Sequence, residues 1–315
     1  MADQHAFVLA HLSDPHLSSP EGLHLKQLLN KRLLGYLSWW RRRRFEHRRE
    51  VLLAMRQDLQ MIRPDHVAIT GDLTNLALPH EFEQARQWLC SLGAPADVTV
   101  VPGNHDCYVS TAWPQSLACW QEYMVSDAAA TPSRQNNNEA GDEFFPSLRL
   151  RGSVALIGVS TACPSRPFLA TGSVGGRQLA RLKDILQDTG KAGLFRIVLI
   201  HHPPLQHLVG WRKRLTDGAA LLGVLCQGGA ELLLHGHVHR TVATSIETDV
   251  GELPVVGVSS ASAVSNKPRR QAEYHVIYLR QLPAGWQVKV SSRSYRPDTG
   301  RFSSAGERCF HICRL

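Results

Sequence analysis

Six short apolar runs in this chain each stop at polar residues, in five of them a cluster carrying acids, amides or imidazoles. Residues 7–12 lead into Ser13-Asp14-Pro15-His16, and 67–69 into Thr70-Gly71-Asp72. Residues 98–101 lead into Pro102-Gly103-Asn104-His105-Asp106, and 154–159 into Ser160-Thr161. Residues 197–200 lead into His201-His202-Pro203-Pro204, and 232–234 into His235-Gly236-His237-Val238-His239. Runs this short and β-branched read as buried strands. Helical patterns separate several of them, over 45–62, 80–92, 176–188 and 217–227. In the first, Val51, Leu52, Met55, Leu59 and Ile62 form one stripe, and Pro64 ends it. Strands alternating with helices predict an α/β layered fold. Such folds collect ligands at the carboxyl ends of their strands, where the polar clusters fall.

From about residue 251 the helical pattern stops. "GELPVVGVSS", "EYHVIYLRQL" and "GWQVKVSSRSYR" predict strands of an antiparallel finish. No repeat or linker divides the chain, so 1–315 is expected to form one domain. Residues 126–147, "SDAAATPSRQNNNEAGDEFFPS", predict a long surface loop that could act as a flexible lid. With 43% apolar residues, 315 residues suffice for a sizeable core. No run reaches the ~18 apolar residues of a membrane span. The N-terminus reads as a first strand, not a secretory signal. Seven cysteines form no Cys-x-x-Cys pair and are odd in number, which favours a reducing cytoplasm. Cys309 and Cys313 read as ordinary buried or surface thiols.

Each polar cluster alone is weak, since Asp-x-His and Gly-Asp usually mark turns. The set is informative. Alternate residues of an extended segment point the same way. Asp14 and His16 are therefore expected to face one ion, and His237 and His239 one pocket, with His235 structural. Carboxylate oxygen with imidazole nitrogen suits Mn, Fe, Co, Ni or Zn. The lack of thiolates argues against a closed structural zinc site.

The ordered blocks Asp14-x-His16, Gly71-Asp72, Gly103-Asn104-His105-Asp106, His201-His202 and Gly236-His237-x-His239 resemble those of the calcineurin-like metallophosphoesterases. The resemblance implies a four-layer α/β/β/α sandwich around two divalent ions, manganese first, with Fe, Zn, Co or Ni as alternatives. It implies that Asp14, His16, Asp72 and His239 hold one ion. Asp72 would bridge to a second, held also by Asn104, His201 and His237, with His202 as the fallback for His201. His105 would be the catalytic histidine that meets the phosphate, and Asp106 would orient it. Two ions roughly 3.5–4 Å apart clamp a phosphoryl group and generate a hydroxide nucleophile. A phosphodiester or a pyrophosphate bond is the expected target. The Gly-Asn-His-Asp and His-His-Pro-Pro blocks are similar to those of bacterial cyclic-nucleotide phosphodiesterases. A non-catalytic scaffold is a minor alternative.

Residues 20–50 interrupt the motif series. Between 26 and 49 stand nine basic residues, Lys26, Lys31, Arg32, Arg41, Arg42, Arg43, Arg44, Arg48 and Arg49, against Glu46 alone. That excess of eight equals the whole formal net charge of +8. Leu25, Leu28, Leu29, Leu33, Tyr36, Leu37 and Trp40 recur at helical spacing, with Trp39 beside them, and predict an amphipathic basic helix. It could pack on the core. The clustered charge favours instead an anionic membrane surface bound through 23–49, where each basic residue contributes about 1 kcal/mol. Nucleic acid ranks lower. Such an insertion resembles peripheral enzymes acting on lipid-linked substrates, such as UDP-diacylglucosamine pyrophosphohydrolases. The expected location is the cytoplasm, peripheral on the inner membrane face.

Overall fold

The computed structural model describes residues 6–17, 23–128, 144–265 and 267–313. Strand β1 (Phe7–Leu12) comes first. The inserted stretch holds α1 (Arg32–Ser38), a π-helical turn (Trp39–Arg43) and α2 (Arg44–Glu46). Then follow α3 (Arg49–Ile62), β2 (His66–Ile69), α4 (Pro79–Leu92) and β3 (Val98–Val100). The next portion runs β4 (Ser147–Arg151), β5 (Val154–Val159), α5 (Gly176–Lys191), β6 (Phe195–Ile200), α6 (Gly218–Gly228), β7 (Leu232–His235), β8 (Val242–Thr248) and β9 (Gly251–Gly257). The chain closes with β10 (Glu273–Leu282), β11 (Gly285–Arg296) and β12 (Arg301–Cys313).

These strands form two six-stranded sheets, β12-β11-β10-β1-β2-β3 and β4-β5-β6-β7-β9-β8. Strands β1, β2 and β3 run parallel, as do β5, β6, β7 and β9. The antiparallel finish is therefore only partly as expected. Strands β10 to β12 are antiparallel and extend the first sheet, but β9 joins the second sheet parallel to β7. The period-two pattern of a strand explains the layering. Ile197 and Leu199 of β6 face the cluster shared with the first sheet, where Phe195 meets Trp286 at 4.9 Å between ring centroids. Val198 and Ile200 pack on the other face against Leu182 and Leu186 of α5 and Leu221 and Leu225 of α6. On the first sheet's side, Val51, Leu52, Met55 and Leu59 of α3 enter the same large cluster. Asp58 of α3 binds Arg293 of β11 at 2.7 Å. The result is the expected helix/sheet/sheet/helix order. Each of these buried aliphatic side chains contributes about 1.5–3 kcal/mol.

Two expectations about local structure change. The helix read from residue 45 breaks at His47, because the backbone there is pinned elsewhere. Arg48 N–H donates to Ser262 O at 3.1 Å and Val264 N–H to Glu46 O at 2.7 Å. His47 and Arg48 are consequently extended, and α3 starts afresh at Arg49. The inserted stretch is a 3-10 turn (Leu25–Leu28) followed by a continuous helical run from Arg32 to Glu46, whose middle, Trp39–Arg43, widens into the π-helical turn, a form often found at functional sites. Of the loop read over 126–147, residues 129–143 lie outside the described residues, as do 20–22 of the insertion and the side chain of Leu25. The loop's C-terminal end is strand β4. Its start is tied to that strand, with Asp127 N–H donating to Leu148 O at 3.0 Å.

Candidate metal centre

The polar clusters leave β1, β2, β3, β6 and β7 at one end of the two sheets. They converge by a route different from the one expected. Asp14, His16, Asp72, His237 and His239 all have left-handed backbones, with φ of 52°, 42°, 57°, 69° and 49°. Strand alternation therefore does not align them. Five non-glycine residues in this sparsely populated region mark a site where surrounding structure holds strain. Backbone bonds do the holding: Asp14 N–H donates to Gly71 O at 2.9 Å and His16 N–H to Asp72 O at 3.1 Å. Gly71, at φ 94°, lets the β2 turn approach closely, since a Cβ there would stand 2.6 Å from Gly103 N.

One group brings together Asp14, His16, Asp72 and His239, with donor atoms within 4.8 Å of one another. His239 Nε2 lies 3.1 Å from Asp14 Oδ1. His16 donates through Nδ1 to Thr74 O at 3.1 Å, and its Nε2 is buried without a partner. A second group surrounds His201. Its Nδ1 donates to Thr70 O at 2.6 Å, which directs Nε2 into the site. That Nε2 stands 3.4 Å from Asp72 Oδ2, 3.2 Å from Asn104 Oδ1 and 3.2 Å from His237 Nδ1. His237 donates its other nitrogen to Lys213 O at 2.9 Å. His202, the fallback, spends both ring nitrogens on Thr161 Oγ1 and Ala170 O. His235 stays in β7 with its ring against Gly257.

These donors fit divalent cations. Two carboxylates, Asp14 and Asp72, are buried, and neither is ion-paired to a lysine or arginine among the described residues. Their partners are instead the imidazoles of His201 and His239, groups that themselves ligate divalent metals. Carbonyls hold Nδ1 of His16 and His201 and Nε2 of His237, so the opposite ring nitrogen points into the site, the usual arrangement around a metal ligand. The electrostatics agree. Burial opposes ionisation of Asp72, yet His201 and His105 outweigh it and hold the carboxyl well below its usual range. Burial also opposes the His201 cation, but the Asp72 carboxylate overrides this and raises the imidazole to about 9. Burial keeps His16 and His237 neutral, the form that binds metal.

His105 N–H donates to Asp72 Oδ1 at 2.7 Å. Its ring is oriented by Asn75, whose carbonyl accepts from Nδ1 at 2.7 Å, and not by Asp106. The Asp106 carboxylate accepts instead from the N–H groups of Asp72, Gly103 and Thr74, each at 2.9 Å. The side chain turns back under the loops and ties the β2 and β3 turns together, which corrects the orienting role expected for it.

The family model for calcineurin-like phosphoesterases matches residues 7–241. The chain belongs to this family. Phosphoesterases of this kind use a dinuclear divalent-metal centre, and the described residues here include candidate ligand clusters for one. Among relatives, the glycerophosphodiester phosphodiesterase GpdQ of Enterobacter lignolyticus (strain SCF1) is 30% identical over 174 residues, 54% of this chain and 50% of that protein. The match thus spans half the length of that relative. A probable cyclic nucleotide phosphodiesterase of Synechococcus sp. is 26% identical over 217 residues, 62% of this chain and 71% of that protein. The fold is shared with a dimetal phosphatase from Danio rerio, at a TM-score of 0.61 and 12% identity over 97% of this chain and 99% of that one. Purple acid phosphatase PPD1 of yellow lupin superposes at 0.56 and 12% identity, over 97% of this chain and 54% of that one.

Sequence reasoning missed three residues at this phosphoesterase centre. His47 places its ring 4.5 Å from that of His16 and 5.9 Å from that of His239, with Nδ1 bonded to Ser262 Oγ at 2.8 Å. Tyr108 stacks on His105 at 5.3 Å. Arg43 Nη2 donates to His105 Nε2 at 2.8 Å. His47 and Arg43 sit inside a basic run, and no periodicity distinguishes an arginine that turns inward from its neighbours.

Proposed function

We propose that the chain is a metal-dependent phosphoester hydrolase that cleaves a phosphodiester or pyrophosphate bond. The observation that carries this reading is the convergence of Asp14, Asp72, Asn104, His201 and His237, drawn from five strand ends, within hydrogen-bonding reach of one another. Asp14, His16, Asp72 and His239 would hold one ion, and Asp72, Asn104, His201 and His237 the other. When bound, two such ions supply Lewis acidity to a phosphoryl group and lower the pKa of water. Asn104 contributes a neutral oxygen, so the site keeps net positive charge for an anionic substrate. His105 commits Nδ1–H to Asn75 O, so Nε2, which accepts from Arg43, is the nitrogen that could meet substrate. The protein stripped by chelator and reloaded with manganese is expected to bind two ions per chain and to hydrolyse bis-p-nitrophenyl phosphate. Both sites filled without turnover of diesters or phosphoanhydrides would favour the scaffold reading.

A second reading concerns the bond's surroundings, and the outward face of the insertion favours it. Leu29, Leu33, Leu37, Trp40 and Phe45 are 84%, 45%, 37%, 48% and 60% exposed. Arg41, Arg42 and Arg44 are exposed beside them. An apolar stripe flanked by cations matches an anionic bilayer surface. A cavity of about 630 Å³ opens at His16 and His47, lined by Trp39, Leu52, Leu53 and Trp88 on one hand and by Arg44, Arg48, Arg49 and Arg56 on the other, room for an amphiphilic anionic part of a lipid-linked substrate. No described helix is long and apolar enough to cross a membrane. Wild type is expected to float with phosphatidylglycerol vesicles, and the triple variant Arg41→Gln, Arg42→Gln, Arg44→Gln to remain at the bottom of the gradient. Equal flotation, or none for either protein, would remove the membrane from the account.

A further inference from the structure

We propose that Arg43 is a substrate-binding residue of this phosphoesterase centre, a guanidinium delivered by the insertion to hold the non-bridging oxygens of the phosphoryl group beside His105. The inference rests on the hydrolase reading above. It concerns a residue outside the family's motif blocks.

The arginine run 41–44 does not behave as a unit. Arg41, Arg42 and Arg44 are exposed; Arg43 is partly buried. The π-helical turn Trp39–Arg43 adds a residue to the helical repeat, which turns Arg43 inward. The turn is secured on the protein side. Lys31 Nζ donates to Ser165 Oγ at 2.7 Å and to Leu169 O at 3.0 Å, while Arg32 Nη2 donates to Ala77 O at 2.6 Å. Gly35 is buried against Leu76 and Tyr108. At the other end, His47 is fixed by Ser262.

Arg43 meets both nitrogens of His105, Nδ1 at 3.1 Å and Nε2 at 2.8 Å. Since Nδ1–H is given to Asn75 O, only Nε2 can accept from the guanidinium. Arg43 forms no ion pair with a carboxylate among the described residues. The acids whose charge acts on it are Asp72, Glu46 and Asp14; Glu46 is paired to Arg42, and the two aspartates are the groups that would be bound to ions. A partly buried guanidinium with five donors and no carboxylate ion pair has an anion as its natural partner. Its planar fork suits two phosphoryl oxygens. A phosphoryl oxygen entering next to His105 Nε2 would take over the N–H that Arg43 now gives to the ring. Lys213, whose carbonyl accepts from His237 Nε2 and whose charge acts on Asp14 and Asp72, adds a second cation to the field of the site.

The test compares manganese-loaded wild type with Arg43→Ala, Arg43→Lys and Arg280→Ala, the last removing an exposed charge from β10. Metal content is read by mass spectrometry, inorganic phosphate binding by calorimetry, and turnover with bis-p-nitrophenyl phosphate. Arg43→Ala is expected to keep its metal, to bind phosphate at least tenfold more weakly, and to raise KM. Arg43→Lys should recover part of the phosphate affinity, free guanidinium ion should partly rescue Arg43→Ala, and Arg280→Ala should match wild type. Phosphate affinity within twofold of wild type in Arg43→Ala overturns the proposal. So does loss of metal together with phosphate in both Arg43 variants, since Arg43 would then act on the ions. Absence of wild-type turnover, with the phosphate result as expected, would instead count against the hydrolase reading alone.

Discussion

Asp72→Ala is expected to abolish turnover, by about 10⁴-fold or more, and to leave fewer than one ion per chain. The reason is its position between both donor groups. Oδ2 of Asp72 lies 3.4 Å from His201 Nε2, and Oδ1 accepts from His105 N–H at 2.7 Å, while the carboxylate also belongs to the set with Asp14, His16 and His239. On the proposed assignment, one substitution would remove a ligand from each site and release the loop that carries Asn104 and His105. A 10⁴-fold loss corresponds to about 5 kcal/mol of transition-state stabilisation. The measurement is metal content beside turnover of bis-p-nitrophenyl phosphate. Two retained ions would remove Asp72 from its bridging position, whatever happened to the rate.

His105→Ala is expected to behave in the opposite way: two ions kept, turnover lowered 10²–10⁴-fold, the range for loss of a positioned acid–base group. The ring is not part of either ligand group. It is held by the Asn75 carbonyl at Nδ1 and by the Tyr108 ring, and its Nε2 accepts from Arg43, the bond a phosphoryl oxygen would replace. The loss should fall mainly on kcat, whereas Arg43→Ala should act mainly on KM. Unchanged turnover in a metal-loaded His105→Ala would strike His105 from the mechanism.

Much of the fold was legible because each strand–helix unit carries its own pattern. Runs 7–12, 154–159 and 197–200 became β1, β5 and β6 with few changes, and Val51, Leu52, Met55 and Leu59 face inward on α3 as their spacing required. Strands β4, β8 and β12 were not read, because they lie at sheet edges and have mixed polar faces. The site residues were legible as a set of donor types at strand ends. The reason offered for their convergence was not correct, since left-handed turns aim Asp14, His16, His237 and His239 where strand alternation was expected to do so. The choice between His201 and His202 also needed coordinates. Both end the same strand, and the difference is that His202 is used up by Thr161 and Ala170.

The sequence by itself determined the layered α/β architecture, the family and the donor inventory, because hydrophobic period and residue chemistry are local properties of the chain. Only the tertiary structure decided the direction of each donor: that Asp106 braces loops, that His47 is drawn to His16 by its anchor at Ser262, and that Arg43 alone among four arginines enters the site. Direction depends on backbone twist and on contacts between segments separated by up to some two hundred residues, such as His47 with Ser262. No local pattern encodes such contacts.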